Sequence, residues 1–228
     1  MKKTFKHLGV IMDGNRRWAK KNNLPSFKGH QHGLKRAKEM ARWCKKRDIK
    51  ILTFYVFSTE NWQRSEKEVS FLMRLFSLFL TKELKTLQQE QAKLLVIGDK
   101  KKLPAFLQKK IENAESLTKN NKNRILILAF SYGGRREITE AVRKIIQEKI
   151  PPEKINEGQI EKRLYTAGIP DPDMIIRTGG HQRLSNFLTW QSAYSELYFC
   201  KKYWPDFTEK DLDEALNDFT GRKRNFGK

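Results

Sequence analysis

Short apolar runs at residues 8–12, 49–57, 94–97, 124–130 and 174–176 alternate with longer stretches of helical period at 34–46, 66–90, 103–120 and 137–149. Runs this short and continuously apolar suit strands buried on both faces. Parallel strands need long crossovers, so strand–helix alternation predicts an α/β fold: a mainly parallel central sheet flanked by helices. The 228 residues contain no Gly/Ser/Pro-rich linker and no internal repeat. A single catalytic-sized domain over 1–228 is therefore expected. Residues 120–123 and 150–152 read as ordinary loops.

One helical stretch differs from the rest. Over 69–80 the apolar residues Val69, Phe71, Leu72, Met73, Leu75, Phe76, Leu78, Phe79 and Leu80 cover nearly every face. A surface helix would show a stripe instead. Two readings stay open here: a helix buried on two sides, or one whose free face lines an apolar channel.

Three strand exits carry the polar chemistry. After the first strand, Asp13-Gly14-Asn15-Arg16-Arg17-Trp18 forms a turn that opens a helix. Strand carboxyl ends facing helix amino ends are where α/β proteins bind ligands, and free N–H groups there suit a phosphate. Arg16 and Arg17 would add charge-assisted hydrogen bonds. Asp13 repels a phosphate unless a cation lies between them, and Mg2+ accepts one or two carboxylates together with phosphate oxygens. The rival reading is a carboxylate that caps the helix. The second exit is Ser58-Thr59-Glu60-Asn61-Trp62-Gln63-Arg64. The third is the stretch 175–197, where Arg177 and Arg183 flank Gly179-Gly180, Ser185 follows, and Glu196 comes later. Two arginines and a hydroxyl around glycines make a second anion site. Two such sites imply two phosphorylated substrates.

Other chemistries lack support. The sequence has neither GxxxxGK[ST] nor GxGxxG, and His7, His30, His32 and His181 have no Cys/His partners at zinc spacing. His30 reads as a hydrogen-bond donor to an anion, with a structural role as the rival. Cys44 and Cys200 read as reduced packing thiols. The opening apolar run is too short for a secretory signal, and Arg74 breaks the most lipid-like stretch, so a soluble cytoplasmic protein is expected.

Taken in order, HLGVIMDGNRRWAK, GHQHG, LTFYVFSTENWQRSEKEV, SYGGRREI, PDMIIRTGGHQRLSNFLTWQSAYSELYF and WPDF resemble the successive signature blocks of the cis-prenyltransferases, over about residues 7–227. The resemblance implies a magnesium-dependent isoprenyl transferase that condenses isopentenyl diphosphate with an allylic prenyl diphosphate, such as farnesyl diphosphate. It also implies a homodimer of α/β subunits, each with an apolar tunnel under the catalytic edge of its sheet. By that likeness Gly14, Asn15, Arg16, Arg17, Trp18 and His30 hold the allylic diphosphate. Ser58, Thr59, Glu60, Trp62 and Arg64 support that site, and Asn61 assists proton removal. Arg177, Arg183, Leu184 and Ser185 match the isopentenyl diphosphate site, and Asp13 and Glu196 the magnesium-linked carboxylates. The tail 222–227 resembles a segment that completes a neighbouring subunit's site.

The sequence departs from the family at five places. Arg16 and His181 stand where Gly and Glu are usual, Ser131 replaces Asn, and Ser26 replaces an Arg of the allylic site. Val56 is larger than the residue common in long-chain enzymes, which predicts a product shorter than undecaprenyl. The balance of 47 Lys+Arg against 26 Asp+Glu gives a formal net charge of +21. Such charge attracts anions of any kind and alone would suit a nucleic-acid-binding protein. Here the aromatics sit in apolar runs or signature blocks and the lysines are scattered, so no nucleic acid is expected. A non-catalytic or branching variant of the same fold is the other alternative. The charge would also suit peripheral contact with an anionic inner membrane leaflet.

Overall fold

In a computed structural model the described residues are 5–222. Six strands, β1 (His7–Ile11), β2 (Ile51–Ser58), β3 (Ala92–Ile97), β4 (Arg124–Tyr132), β5 (Met174–Arg177) and β6 (Glu196–Phe199), form one sheet in the order β3-β4-β2-β1-β5-β6. Every pairing is parallel. The expected sheet is therefore present and wholly rather than mainly parallel. The helices are α1 (Asn15–Lys21), α2 (Ser26–Lys46), α3 (Glu66–Gln89), α4 (Ala105–Thr118), α5 (Gly134–Gln147), α6 (Glu157–Glu161) and α7 (Glu209–Gly221).

The strands read as continuous apolar runs because both sheet faces are covered. Leu8, Val10, Leu52, Phe54, Leu128 and Phe130 join Met40, Met73, Phe76 and Ile111 in one core. Their strand neighbours Ile11, Ile51, Ile127 and Ala129 point the other way and pack with Ile175, Phe187 and Leu188. This period-two division is what a parallel sheet with two buried faces requires.

Helix boundaries differ from the sequence reading where packing overrides propensity. The periodic signal begins at residue 34, yet α2 starts at Ser26 and runs through Gly29 and Gly33. A Cβ on Gly29 would lie 2.1 Å from the Asn15 carbonyl oxygen, and one on Gly33 2.3 Å from Asn15 Oδ1. The two glycines lower intrinsic helix propensity, but they let α1 cross α2 in close contact. Strand β6 and helix α7 escape the sequence reading altogether. Helix α7 carries its own signals: a Thr208/Asp211 capping box and a buried stripe of Leu212, Ala215 and Phe219. Both thiols are free, and burial pushes Cys44 up to about 12, as a packing role needs.

Strand β1 lies between β2 and β5, with Ile11 beside both Tyr55 and Arg177. Chain order diverges from β1 in both directions. The carboxyl end of β1 is thus the topological switch point, where an open α/β sheet leaves a crevice for ligands.

Candidate active site

Asp13 sits in that crevice, two residues beyond the end of β1. Its Oδ1 accepts from Arg17 Nη2 at 3.1 Å and its Oδ2 from Arg177 Nη2 at 2.9 Å. Its carbonyl is fixed by Thr178 Oγ1 at 2.8 Å and by the Trp204 N–H at 3.0 Å. Arg177, the last residue of β5, is only 5% exposed, while the Asp13 side chain is 28% exposed. Burial works to raise the Asp13 carboxyl, but the hydrogen bond and charge of Arg177, joined by Arg17, outweigh it and hold the group below the usual carboxylate range. Asp13 is thus an ionised carboxylate with an open edge.

The other fork of Arg177 binds the turn that follows. Nη1 donates to Ser185 Oγ at 2.8 Å and to the Arg183 carbonyl. Gly179, with φ +85°, closes this turn over the crevice, and a Cβ there would lie 2.6 Å from Arg17 Nη2. The first and third sequence motifs therefore share one wall. The Arg183 side chain is exposed and Leu184 is half-buried against the far-face core.

A second cationic cluster lies across the crevice, between the starts of α2 and α3. Glu68 accepts from His30 Nε2 and from Arg64 Nη1, each at 3.1 Å, and pairs with Arg16 Nη1 at 3.7 Å. Burial lowers His30 more than its Glu68 contact restores, so near neutral pH the ring is uncharged and offers a hydrogen bond rather than a charge. Burial also lowers Arg64, which as a guanidinium stays charged. Ser26 is exposed at the start of α2, beside an open depression that includes His30 and Glu68.

The 3-10 turn Thr59–Gln63 leads from the end of β2 to Arg64 and is tied to β4 and to Asn186. Asn61 Oδ1 accepts the Ser58 N–H at 3.2 Å. Trp62 Nε1 donates to Ser131 Oγ at 3.0 Å, and Ser131 has φ +52°, a left-handed conformation in which Asn or Asp is commoner. Glu60 accepts from Asn186 Nδ2 at 3.1 Å, and Tyr55 Oη donates to the Ser185 carbonyl at 3.2 Å. Thr59 Oγ1 lies against Gly133.

Two expected site residues are placed elsewhere in the chain. Trp18 turns away from the cations: Nε1 donates to Asp206 Oδ1 at 2.6 Å, and its ring lies 4.5 Å from that of His32. Glu196 starts β6 in register with Met174, whereas Asp13 lies beyond the level of Arg177. Three residues of strand separate those levels by roughly 10 Å. The Glu196 carboxylate takes Arg222 Nη1 at 2.8 Å, so within one chain it does not join Asp13. Of the tail 222–227, only Arg222 is among the described residues.

Asn15 lines the mouth of a cavity, and Gly14 before it packs against Tyr203. Gly14 is the buried residue before α1, with φ +107°. The Asn15 amide nitrogen lies 3.3 Å from the Met12 carbonyl. The cavity, of about 210 Å3, opens between the sheet, α2 and α3, with Met12, Asn15 and His30 at one end and Val56, Phe76 and Phe79 deeper. Helix α3 has a buried side and a side on the cavity, while Leu78 is exposed. Met73, Phe76 and Leu80 are buried, while Leu72, Leu75 and Phe79 line the cavity.

The sequence reading overlooks Glu68, Thr178, Tyr55 and Asn186. Glu68 had a signal, since it lies four residues after Arg64 at a helix start. The others are recruited through backbone and side-chain bonds that no local pattern encodes. Asp13 fits magnesium: an ionised, partly exposed hard-oxygen donor suits an ion that takes one or two carboxylates and completes its shell with water and phosphate oxygens. Among the described residues no group of three or more His, Cys, Asp or Glu side chains could hold a metal.

The fold and site are those of an open parallel α/β protein whose switch point carries an ionised carboxylate held by arginines. The family model described as "Putative undecaprenyl diphosphate synthase" matches residues 11–227. The chain is 48% identical to an isoprenyl transferase of Rickettsia typhi over 225 residues, 99% of each chain. The crystal structure of lavandulyl diphosphate synthase from Lavandula x intermedia, in complex with dimethylallyl diphosphate, superposes with a TM-score of 0.94 at 41% identity and covers 99% of each chain. A probable undecaprenyl diphosphate synthase from Campylobacter jejuni gives 0.83 at 33% identity, covering 98% of this chain and 99% of that one. The chain belongs to this prenyltransferase family and is an enzyme with activity of the cis-prenyltransferase type. These matches do not favour the nucleic-acid-binding or non-catalytic alternatives. Among the described residues no helix is long and apolar enough to cross a membrane.

Proposed function

We propose that this enzyme condenses isopentenyl diphosphate with an allylic prenyl diphosphate, releases diphosphate, and stores the lengthening tail in the cavity beside α3. The observation that carries the reading is the Asp13 carboxylate held by Arg177 and Arg17, with its neighbours Met12 and Asn15, and His30 of the Glu68 cluster, lining the apolar space. The allylic headgroup fits the cluster now held by Glu68. Arg16 and Arg64 neutralise it and His30 donates a hydrogen bond, while the tail points down the cavity. The second diphosphate fits the Arg177–Ser185 turn.

The allylic carbon–oxygen bond breaks with both electrons leaving on diphosphate, and a delocalised cation remains. Preorganised arginines favour this step because they meet charge that grows as the bond lengthens. Asp13 would hold a magnesium ion against the leaving diphosphate, and such an ion when bound adds further charge neutralisation. The double bond of isopentenyl diphosphate then attacks the cation, and a proton from the resulting carbocation passes to an oxygen of the released diphosphate, leaving a new carbon–carbon double bond. Asn61, whose Oδ1 accepts the Ser58 N–H, assists proton removal from the turn it holds. The apolar walls keep water from the cation.

Val56 lines the cavity, which supports a product shorter than undecaprenyl. The exposed pair Val142 and Ile146, one turn apart on α5, supports a homodimer with a second copy of this chain. The test is incubation with magnesium, isopentenyl diphosphate and, in turn, dimethylallyl, geranyl and farnesyl diphosphates, followed by mass analysis. Prenyl diphosphates lengthened by five-carbon steps are expected. Absence of product with every primer refutes the proposal, and mainly eleven-unit chains refute the shorter length.

A further inference from the structure

The cavity changes character along its length. On α3 the lining stripe runs Leu72, Leu75, Phe76, Phe79, and is then interrupted by Glu83 before Thr86, Leu87 and Glu90. On α2 it passes Leu34 and Ala37 and reaches Lys38. There the helices are tied across the gap by an ion pair between Lys38 Nζ and Glu83 Oε1. Two turns further on, the same offset gives a second rung, Lys45 Nζ to Glu90 Oε1 at 2.9 Å. The upper rung is the more buried, with side chains 31% and 22% exposed against 48% and 34% below. The space does not end at the upper rung, because Ala41 and Leu87, further along the same helices, also line it.

We infer that the Lys38–Glu83 pair is a polar stop that sets product length. This rests on the proposed condensation. Both helices run down from the catalytic edge, so the rung lies about 12 Å below His30 along α2 and about 16 Å below Leu72 along α3, at 1.5 Å per residue. Each added isoprene unit is favoured while it slides against Leu72, Phe76 and Phe79, because apolar surface leaves water. The unit that reaches the rung meets a carboxylate and an ammonium instead. To pass, it must strip water from both groups or part them and leave each charge uncompensated, which opposes the gain from burial. Elongation therefore slows relative to release at the length that fills the space above. The pair acts by excluding hydrocarbon and takes no part in bond making.

The test compares product lengths from the full chain with magnesium, isopentenyl diphosphate and one primer. The variants are K38M/E83M, which removes both charges at similar volume, and K38E/E83K, which reverses the pair. The first is expected to shift the main product upward by at least one isoprene unit, and the second to keep the wild-type length. If K38M/E83M does not fold, K38A/E83A takes its place with the same expectation. Wild-type length from the uncharged variant overturns the inference, as does a longer product from the charge-reversed one. Inactivity of the wild-type enzyme with every primer would instead refute the condensation reading, so the two failures are distinguishable.

Discussion

Asp13 and Glu137 are both carboxylates withdrawn from water at the edge of the same sheet, and their surroundings drive them in opposite directions. Asp13 faces two guanidinium groups and stays ionised below its usual range. Glu137, in the first turn of α5, is fully buried among neutral donors: the Tyr132 hydroxyl, Gln191 Nε2 at 3.1 Å and the Tyr165 N–H at 2.7 Å. Burial raises it, and those hydrogen bonds and the more distant Lys144 only partly offset the shift. The contrast teaches that the partner's charge, rather than burial alone, decides whether a carboxylate is a charged tool or a structural knot. The first can bind a cation and an anionic substrate; the second ties α5 to the segment around Tyr165 and Gln191.

That contrast can be broken by substitution. Asp13→Ala is expected to lower turnover about a thousandfold, or about 4 kcal/mol of transition-state stabilisation, with the fold intact. Steady-state rates beside circular dichroism check this, and near-normal rates would remove Asp13 from the chemistry. Glu137→Ala should cost about 3 kcal/mol of stability, because it orphans several buried hydrogen-bond partners. Denaturant unfolding measures that loss, and turnover per folded molecule should stay at the wild-type level. Arg177→Lys keeps a positive charge but cannot span Asp13, Ser185 and the Arg183 carbonyl together. A fall of about thirtyfold in kcat/KM is expected, roughly 2 kcal/mol.

The smallest effects are in pH dependence, and their signs differ. The Asp13 carboxyl is depressed in the fold, so its stabilising contribution is present above its ordinary value of 3.8 and is lost as pH falls through the folded value. The Glu137 carboxyl is raised, so its contribution is present below its ordinary 4.5 and is lost as pH rises through the folded value. Asp13→Asn should therefore flatten the acid limb of a stability–pH curve, whereas Glu137→Gln should gain on the wild type as pH rises. Parallel slopes for both variants would show that the two sites do not differ as described.

Much of the crevice was legible because its residues follow strand ends directly. Asp13, Ser58 and Arg177 each belong to a motif that a strand delivers to the same edge. Trp18 and Glu196 were not so legible. The indole faces Asp206, far along the chain, and Glu196 is set by the register of β6, a strand of four residues with too little pattern to announce itself. Glu68 is not distinguished by its sequence neighbourhood alone; its role shows only when two arginines and the His30 ring converge on it.

The sequence by itself determined the α/β class, the number of polar strand exits and the apolar character of α3, because burial on both faces leaves a periodic trace within each element. Only the tertiary structure decided that Asp13 meets Arg177 across 164 positions, that Gly29 and Gly33 are contact surfaces, and that Lys38 pairs with Glu83. Local propensity records what a segment prefers. Which charges neutralise one another depends on strand order and helix direction, which a linear pattern does not contain.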